Sequence, residues 1–307
     1  MRVAITGSSG LIGSALLEFF HARGDEVTRV VRSRSPKGGG SEVVWSVERG
    51  VIDTAGLEGH DLVVHLAGES VAGVWTPDKK RKIRDSRVKG TTLLSDALAS
   101  LTRRPAAFFS ASGMNFYGSR APSEPITEAS PAGEGFLAEV AREWEHATRT
   151  AAEASIRVVH MRSGNVLSPH GGMLPALLPL FRIGLGARFG DGQQIWPWIA
   201  LDDYAPAIMH VFEKTDLAGP VNFVAPQAVS NEQFTNALAA AVGRFAFFSV
   251  PAFAARLAPG GMADEILLGG ARLIPTRLVE SGFVFRWPEL KPFLRATLGG
   301  KASSAER

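Results

Sequence analysis

Arg2-Val3-Ala4-Ile5-Thr6-Gly7-Ser8-Ser9-Gly10-Leu11-Ile12-Gly13-Ser14-Ala15-Leu16 opens the chain with a strand, a glycine turn and a helix in immediate succession. Arg2 to Thr6 has the short apolar run of a buried strand. Leu11, Ile12, Ala15, Leu16, Phe19 and Phe20 recur at helical spacing, and Gly24 ends the helix. Between them, Gly7, Gly10 and Gly13 have the spacing G-x-x-G-x-x-G. Gly7 permits a tight turn, Gly10 lets backbone N–H groups approach a pyrophosphate, and Gly13 lets helix and strand pack closely. The helix N-terminus adds partial positive charge. A glycine motif alone is weak evidence; set between a strand and an amphipathic helix, it marks a dinucleotide-binding unit. Ser9, Leu11 and Ile12 share the turn and join the three glycines as candidate cofactor residues.

The next strand, Glu26 to Arg32, decides which dinucleotide is expected. A site for NAD carries Asp or Glu about 20 residues beyond the loop, bonded to the ribose 2′-hydroxyl. This chain has Val30-Val31-Arg32-Ser33-Arg34 there, with no carboxylate. Arg32 can stack on adenine and hold a 2′-phosphate, with Arg34 or Lys37 assisting, so NADP(H) is expected. The alternative for Arg32 is a solvent-facing side chain at a strand end.

Working outward, Val43–Trp45, Asp61–Ala67, Ala106–Ser112 and Ile156–Met161 read as strands, and Pro77–Leu101 and Phe136–Ala154 as long helices. This alternation predicts an α/β fold, a doubly wound parallel-sheet Rossmann domain. After Ser163 the pattern loosens into a Gly/Leu/Pro-rich stretch, Gly171 to Gly192. Asp203–Phe212 reads as a helix and Val221–Val224 as a strand. Ser230-x-x-Gln233 starts another helix, Asn231 to Val242. The expected division is a Rossmann domain over 1–225, including cleft segments from 163–200, and a smaller C-terminal lobe over 226–298. Residues 299–307 read as a disordered tail, and Ser35 to Ser41 as a mobile loop.

Composition narrows the class. The chain has 307 residues, 45% hydrophobic, with a formal net charge of +3 and no cysteine. Disulfides and thiolate chemistry are excluded, and the small net charge does not point to nucleic acid. The apolar runs are too short to cross a membrane, and the first residues already form a strand, so a soluble cytoplasmic protein is expected. The basic run Lys79-Lys80-Arg81-Lys82-Ile83-Arg84 is either a solvated helix face or a face turned to a phosphate-bearing ligand.

Several further motifs carry a family resemblance: His65-Leu66-Ala67-Gly68-Glu69, Phe116-Tyr117-Gly118, Arg162-Ser163-Gly164-Asn165-Val166-Leu167, Gly171-Gly172-Met173, Phe181 to Gly186, and Asp202-Asp203. Over nearly its whole length the chain resembles the atypical extended short-chain dehydrogenase/reductases of the sugar-nucleotide epimerase-like "epimerase family" group. Leu267 to Trp287 resembles that group's small C-terminal domain. The resemblance implies that Leu66, Ala67 and Gly68 pass beside the adenosine and pyrophosphate. It also implies that Lys82 and Arg87 face the cofactor, with Lys79 and Lys80 solvated, and that Val166 lines the nicotinamide end. A homodimer through the two long helices is a further implication.

Ordinary members use a Ser or Thr with Tyr-x-x-x-Lys, the Tyr being general acid or base and the Lys lowering its pKa. Here the corresponding helix start is Gly135-Phe136-Leu137-Ala138-Glu139-Val140, so Phe136 and Val140 replace the pair. Ser112, at a strand end, is the candidate for polarising a substrate oxygen. Tyr117 is the candidate proton donor, its alternative role being loop packing. No metal is expected. Trp75, Trp198 and the segment Gly171 to Arg188 are candidate substrate contacts. The resulting expectation is an NADP(H)-dependent oxidoreductase or epimerase-like enzyme acting on a small molecule. The rival is a non-catalytic NADPH-binding redox sensor or scaffold.

Overall fold

The computed structural model describes residues 1–34, 40–257 and 260–299. The strands in chain order are β1 (Arg2–Thr6), β2 (Glu26–Val31), β3 (Ser41–Ser46), β4 (Val51–Ile52), β5 (Leu62–His65), β6 (Ala107–Gly113) and β7 (Pro125–Ile126). They continue as β8 (Arg157–Ser163), β9 (Asn165–Leu167), β10 (Ala187–Phe189), β11 (Trp198–Ala200), β12 (Gly219–Phe223), β13 (Phe248–Val250) and β14 (Arg272–Leu273). The helices are α1 (Leu11–Ala22), α2 (Pro77–Ser100), α3 (Phe136–His146), α4 (Arg149–Glu153) and α5 (Met173–Arg182). Then come α6 (Leu201–Glu213), α7 (Asn231–Ala241), α8 (Ala252–Ala255), α9 (Thr276–Glu280) and α10 (Leu290–Leu298).

One eight-stranded sheet runs in the order β12-β8-β6-β5-β1-β2-β3-β4. All its pairings are parallel except β3 with β4. The chain winds one way from β1 to β3 and the other way from β5 to β12. The switch therefore falls between β1 and β5, and the crevice at their carboxyl ends is where such folds bind ligands.

Strand alternation sends neighbouring residues to opposite faces. Val3, Ile5, Val64, Phe109 and Met161 pack under α1 and α6. Ala4, Val63, Phe108 and Val158 pack on the other face with Leu94 and Leu98 of α2 and Ala151 of α4. A separate core joins α5, α7 and α10 around Trp196, Trp198, Phe234 and Phe293. It forms the smaller lobe, drawn from the 165–200 region and the C-terminal third.

Two expectations change. The helix foreseen over Phe136–Ala154 is two helices, α3 and α4. At the break, the Thr148 hydroxyl donates to the Glu145 carbonyl (2.7 Å) and meets His160 Nε2 (2.9 Å). These bonds hold the polar side chain inward and tighten the turn. The loose stretch after Gly171 contains α5, whose Pro179 lies inside the helix and hides it from a sequence reading. Most of the Ser35–Ser41 loop, with Lys37, and nearly all of the 299–307 tail lie outside the described residues. Among the described residues no helix is long and apolar enough to cross a membrane.

Candidate functional site

The glycine turn is built by steric necessity. Gly7 has φ +66°, and a Cβ there would sit 2.8 Å from the Leu66 carbonyl carbon and 2.9 Å from the Ala67 nitrogen. Only a residue without a side chain lets the two strand ends come this close. A Cβ on Gly13 would lie 2.2 Å from the Gly7 oxygen, so Gly13 seats α1 against the turn. Gly10 differs: its Cβ would meet only the Gly7 oxygen, at 3.3 Å, and the residue is exposed with Ser9. As the N-cap of α1 it offers no side-chain acceptor. The first amides of α1, on Leu11, Ile12 and Gly13, are therefore left for an anion.

Thr6 locks this turn to the next one. Its Oγ1 accepts from the N–H of Leu66 (3.0 Å) and Ala67 (3.1 Å). Its single proton then goes to His65 Nδ1 (2.7 Å), which leaves Nε2–H to donate to Thr91 Oγ1 (3.0 Å). His65 is fully buried, and desolvation, helped by the charge of Arg87, pushes its pKa down to about 3. It is a neutral core residue that fixes the Leu66-Ala67-Gly68 turn beside Gly7.

Arg32 follows directly on β2 and is exposed, as is Arg34. The sequence from Val27 to Ser41 carries no acidic residue. Arg29, three residues earlier, was not foreseen. Its Nε reaches Ser8 Oγ at 3.3 Å and its Nη1 reaches Glu42 at 3.3 Å. The period-two alternation of β2, read residue by residue, would have put it on the face of the glycine turn.

The basic run divides by its contacts, and the expectation that Lys79 and Lys80 are solvated changes. Lys82 pairs with Asp78 (2.9 Å) and its side chain is 61% exposed. Lys79, at 21%, donates to Glu69 (2.7 Å), and the Lys80 ammonium lies 5.1 Å from the Phe136 ring. The reason is helical phase: Lys79 and Lys80 share the inward stripe with the buried Ile83 and the half-buried Ser86 and Arg87, whereas Lys82 is turned away. The Arg87 guanidinium lies beside the Leu66-Ala67-Gly68 turn, within 3.4 Å of a Cβ built on Gly68. It donates to the Glu69 carbonyl (2.9 Å) and lies 5.0 Å from the Trp144 ring centre. Burial lowers its pKa to about 10, so it is charged at neutral pH.

The two candidate catalytic residues belong to one polar network. Ser112 Oγ donates to Glu145 Oε1 (2.7 Å). Arg162 grips the same carboxylate with two bonds of 2.8 Å and donates to the Tyr117 hydroxyl (2.9 Å). Tyr117 in turn donates to Asn222 Oδ1 (2.7 Å). Tyr117 is fully buried, and desolvation pushes its pKa up to about 12. Its ring belongs to the cluster with Ile126, Val224, Ala271 and Leu273. The proton donor foreseen at the cleft is thus packing the core, because the 3-10 turn Met114–Tyr117 swings the ring inward. Ser112 is nearly buried, and its one proton is committed to Glu145. Trp75 and Trp198, foreseen as substrate contacts, are also buried, their indole N–H groups donating to the carbonyls of Val71 and Gln227.

At the helix start that replaces the Tyr-x-x-x-Lys pair, Phe136 packs edge-on to Trp75, with ring centres 5.3 Å apart. Above it lies a group that sequence reasoning missed. Glu265, in a π-helical turn (Ala263–Leu267) of the smaller lobe, accepts from the N–H of Phe136 (3.0 Å) and Leu137 (2.8 Å). No local spacing announces a cap that comes from so far along the chain. Gly171 and Gly172 pass over Leu11, where a Cβ would meet its methyl carbons at 2.9 and 3.2 Å. Val166, in β9, sits beside this crossing, its carbonyl 3.3 Å from the position of a Cβ on Gly172.

A glycine cradle at the switch point, an open helix N-terminus and a second lobe closing over it define a dinucleotide-binding protein of the short-chain dehydrogenase/reductase kind. The chain belongs to the NAD-dependent epimerase/dehydratase family, which it matches over residues 3–224; residues 250–297 match a domain of unknown function, DUF1731. It is 43% identical over 284 residues to the epimerase family protein Mb2239 of Mycobacterium bovis, covering 92% of this chain and 93% of that one. It is 34% identical over 299 residues to human epimerase family protein SDR39U1, covering 96% and 99%. The crystal structure of human SDR39U1 (isoform 2) with NADPH superposes with a TM-score of 0.88 at 33% identity, covering 97% of this chain and 99% of that one.

Proposed function

We propose that the protein binds NADP(H) in the crevice at β1 and β5 and serves hydride chemistry on a small substrate, as an oxidoreductase or epimerase-like enzyme. The observation that carries this reading is the open, side-chain-free turn at Gly10 joined to a strand end that presents Arg32 and no carboxylate. Gly7, Ser9, Gly10, Leu11, Ile12 and Gly13 would hold the pyrophosphate. Arg32 would hold the 2′-phosphate. Leu66, Ala67, Gly68 and the half-buried Arg87 would flank the adenosine and pyrophosphate, with Val166 at the nicotinamide end. The NADPH complex of the human relative supports the choice of cofactor.

The cofactor supplies the hydride. The protein would orient the substrate through the smaller lobe. Phe136 has no ionisable proton and Tyr117 is sequestered, so a proton for the reaction comes from water or from the substrate itself. Ser112 retains lone pairs that accept but has no free proton to donate.

That sequestration favours one second reading, a non-catalytic NADPH-binding sensor or scaffold. Calorimetric titration with NADPH and NADH, followed by NADPH consumption with a panel of small carbonyls and sugar nucleotides, separates the two. Turnover supports the enzyme; tight NADPH binding with no turnover supports the sensor. Weak binding of both cofactors overturns both.

A further inference from the structure

The described residues leave twelve large hydrophobic side chains exposed, and eight of them fall in two short segments of the smaller lobe. Phe245, Phe247, Phe248, Phe253 and Leu257 are one group; Phe247 is 82% exposed, Leu257 79% and Phe253 72%. Leu180, Ile183 and Leu185, at and just beyond the end of α5, are the other. The segments lie side by side. Arg244 Nε donates to the Arg182 carbonyl at 2.9 Å, and β13 pairs with β10, with Phe248 opposite Ala187. The rings of Phe245 and Phe247 pack on each other at 5.8 Å rather than into the core. Scattered apolar side chains are ordinary on a surface; a contiguous aromatic patch marks an interaction site.

Charge identifies what the patch meets. Residues 180–190 and 243–257 contain Arg182, Arg188, Arg244 and Arg256 and no Asp or Glu. Arg188 and Arg256 pair with Glu232 and Asp264, which lie outside these segments. Among the described residues, Arg182 and Arg244 form no ion pair. A second copy docked about a two-fold axis would set this cationic patch against itself. The apolar members are Phe, Leu and Ile, with no hydroxyl or indole N–H to register against a structured protein partner. Hydrocarbon fringed by anionic headgroups satisfies both features at once.

We propose that this face of the smaller lobe is a peripheral docking site for an anionic lipid bilayer. The phenylalanines enter the acyl boundary, and Arg182 and Arg244 meet lipid phosphates. This is adsorption to a surface rather than a span, and none of the cofactor cradle takes part in it.

Vesicle sedimentation of the full-length protein tests the proposal. Vesicles of phosphatidylcholine alone are compared with an equal mixture of phosphatidylcholine and phosphatidylglycerol. Binding is expected to the mixed vesicles and to weaken as salt is raised. Phe247→Ser with Phe253→Ser, and separately Arg182→Glu, should each weaken it about tenfold. These positions are exposed, so far-UV circular dichroism and the thermal midpoint should match the parent. Absence of binding to the anionic vesicles, or variants that bind as the parent does, overturns the proposal. So does self-association in sedimentation equilibrium that the Phe double variant abolishes while vesicle binding is absent, which gives the patch to a second copy.

Discussion

The carboxylate of Glu265 straddles the first turn of α3, one oxygen accepting the N–H of Phe136 at 3.0 Å and the other that of Leu137 at 2.8 Å. Helix N-caps are normally local, supplied by the residue just before the helix. Here that residue is Gly135, which has φ +109° and no side chain to give. A Cβ at Gly135 would press to 3.1 Å from the Glu265 carboxyl carbon, so the glycine also makes room for the distant cap. The start of α3 is thereby tied to the docking of the smaller lobe.

Glu265→Ala should destabilise the protein by about 1–2 kcal/mol, the ordinary value of a lost cap. Glu265→Gln keeps one amide oxygen as acceptor and should lose less. Chemical unfolding at neutral pH measures both. An Ala variant as stable as the parent would show that the lobe docks without this bond.

NADPH should bind at least tenfold more tightly than NADH. A charged hydrogen bond from Arg32 to the 2′-phosphate is worth about 1.5–3 kcal/mol. Arg32→Ala should remove most of the preference and leave NADH affinity nearly unchanged, because NADH lacks that phosphate. Calorimetry of both cofactors on both proteins decides. A preference that survives Arg32→Ala would move the 2′-phosphate contact elsewhere, with Arg29 beside Ser8 the next residue to replace.

The glycines of the turn should separate into binding and folding roles. Gly10→Val places its side chain toward the open side of the turn, so the variant should fold with its unfolding midpoint near that of the parent and lose NADPH binding. Gly13→Ala forces a Cβ to 2.2 Å from a backbone oxygen, so it should lower stability by several kcal/mol. Urea unfolding with NADPH titration tests the pair. Retained affinity in a folded Gly10→Val protein would remove the turn from the phosphate site.

The cradle was legible in the sequence because its determinants are local. Gly7, Gly10 and Gly13 lie on one turn, and the β1-loop-α1 pattern surrounds them. The parallel sheet was legible for the same reason, each strand showing its own apolar run. The phase of α2 is hard to read because a run of six residues with five cations offers no apolar contrast until Ile83, so the inward turn of Lys79 and Lys80 is hidden. The sequence left Tyr117 between proton donor and loop packing because nearness along the chain says nothing of which way a 3-10 turn sends a ring. The partners that bury it, Arg162 and Asn222, stand 45 and 105 residues away. Glu265 is invisible on the same ground: its significance exists only once two lobes meet.

Stability should fall toward both acid and alkaline pH, through different residues. His65 is held neutral with its pKa lowered from 6.5 to about 3, mainly by desolvation. A depressed folded pKa means that the unfolded chain takes the proton first as pH falls. The contribution of His65 is therefore complete above pH 6.5 and is lost progressively as pH falls toward 3. Each unit of that separation is about 1.4 kcal/mol. His60 and His160 are also lowered by burial and add to the same slope. Tyr117 and Tyr204 shift the other way, from 10.0 to about 12, again chiefly by desolvation. Their contribution is complete below pH 10 and is lost as pH rises through about 12. Urea midpoints measured across the pH range should trace this dome. His65→Asn should be less stable at pH 7, because Thr6 and Thr91 lose well-placed partners, and should show a shallower decline on the acid side. An acid limb as steep in His65→Asn as in the parent would mean that the decline belongs to other groups.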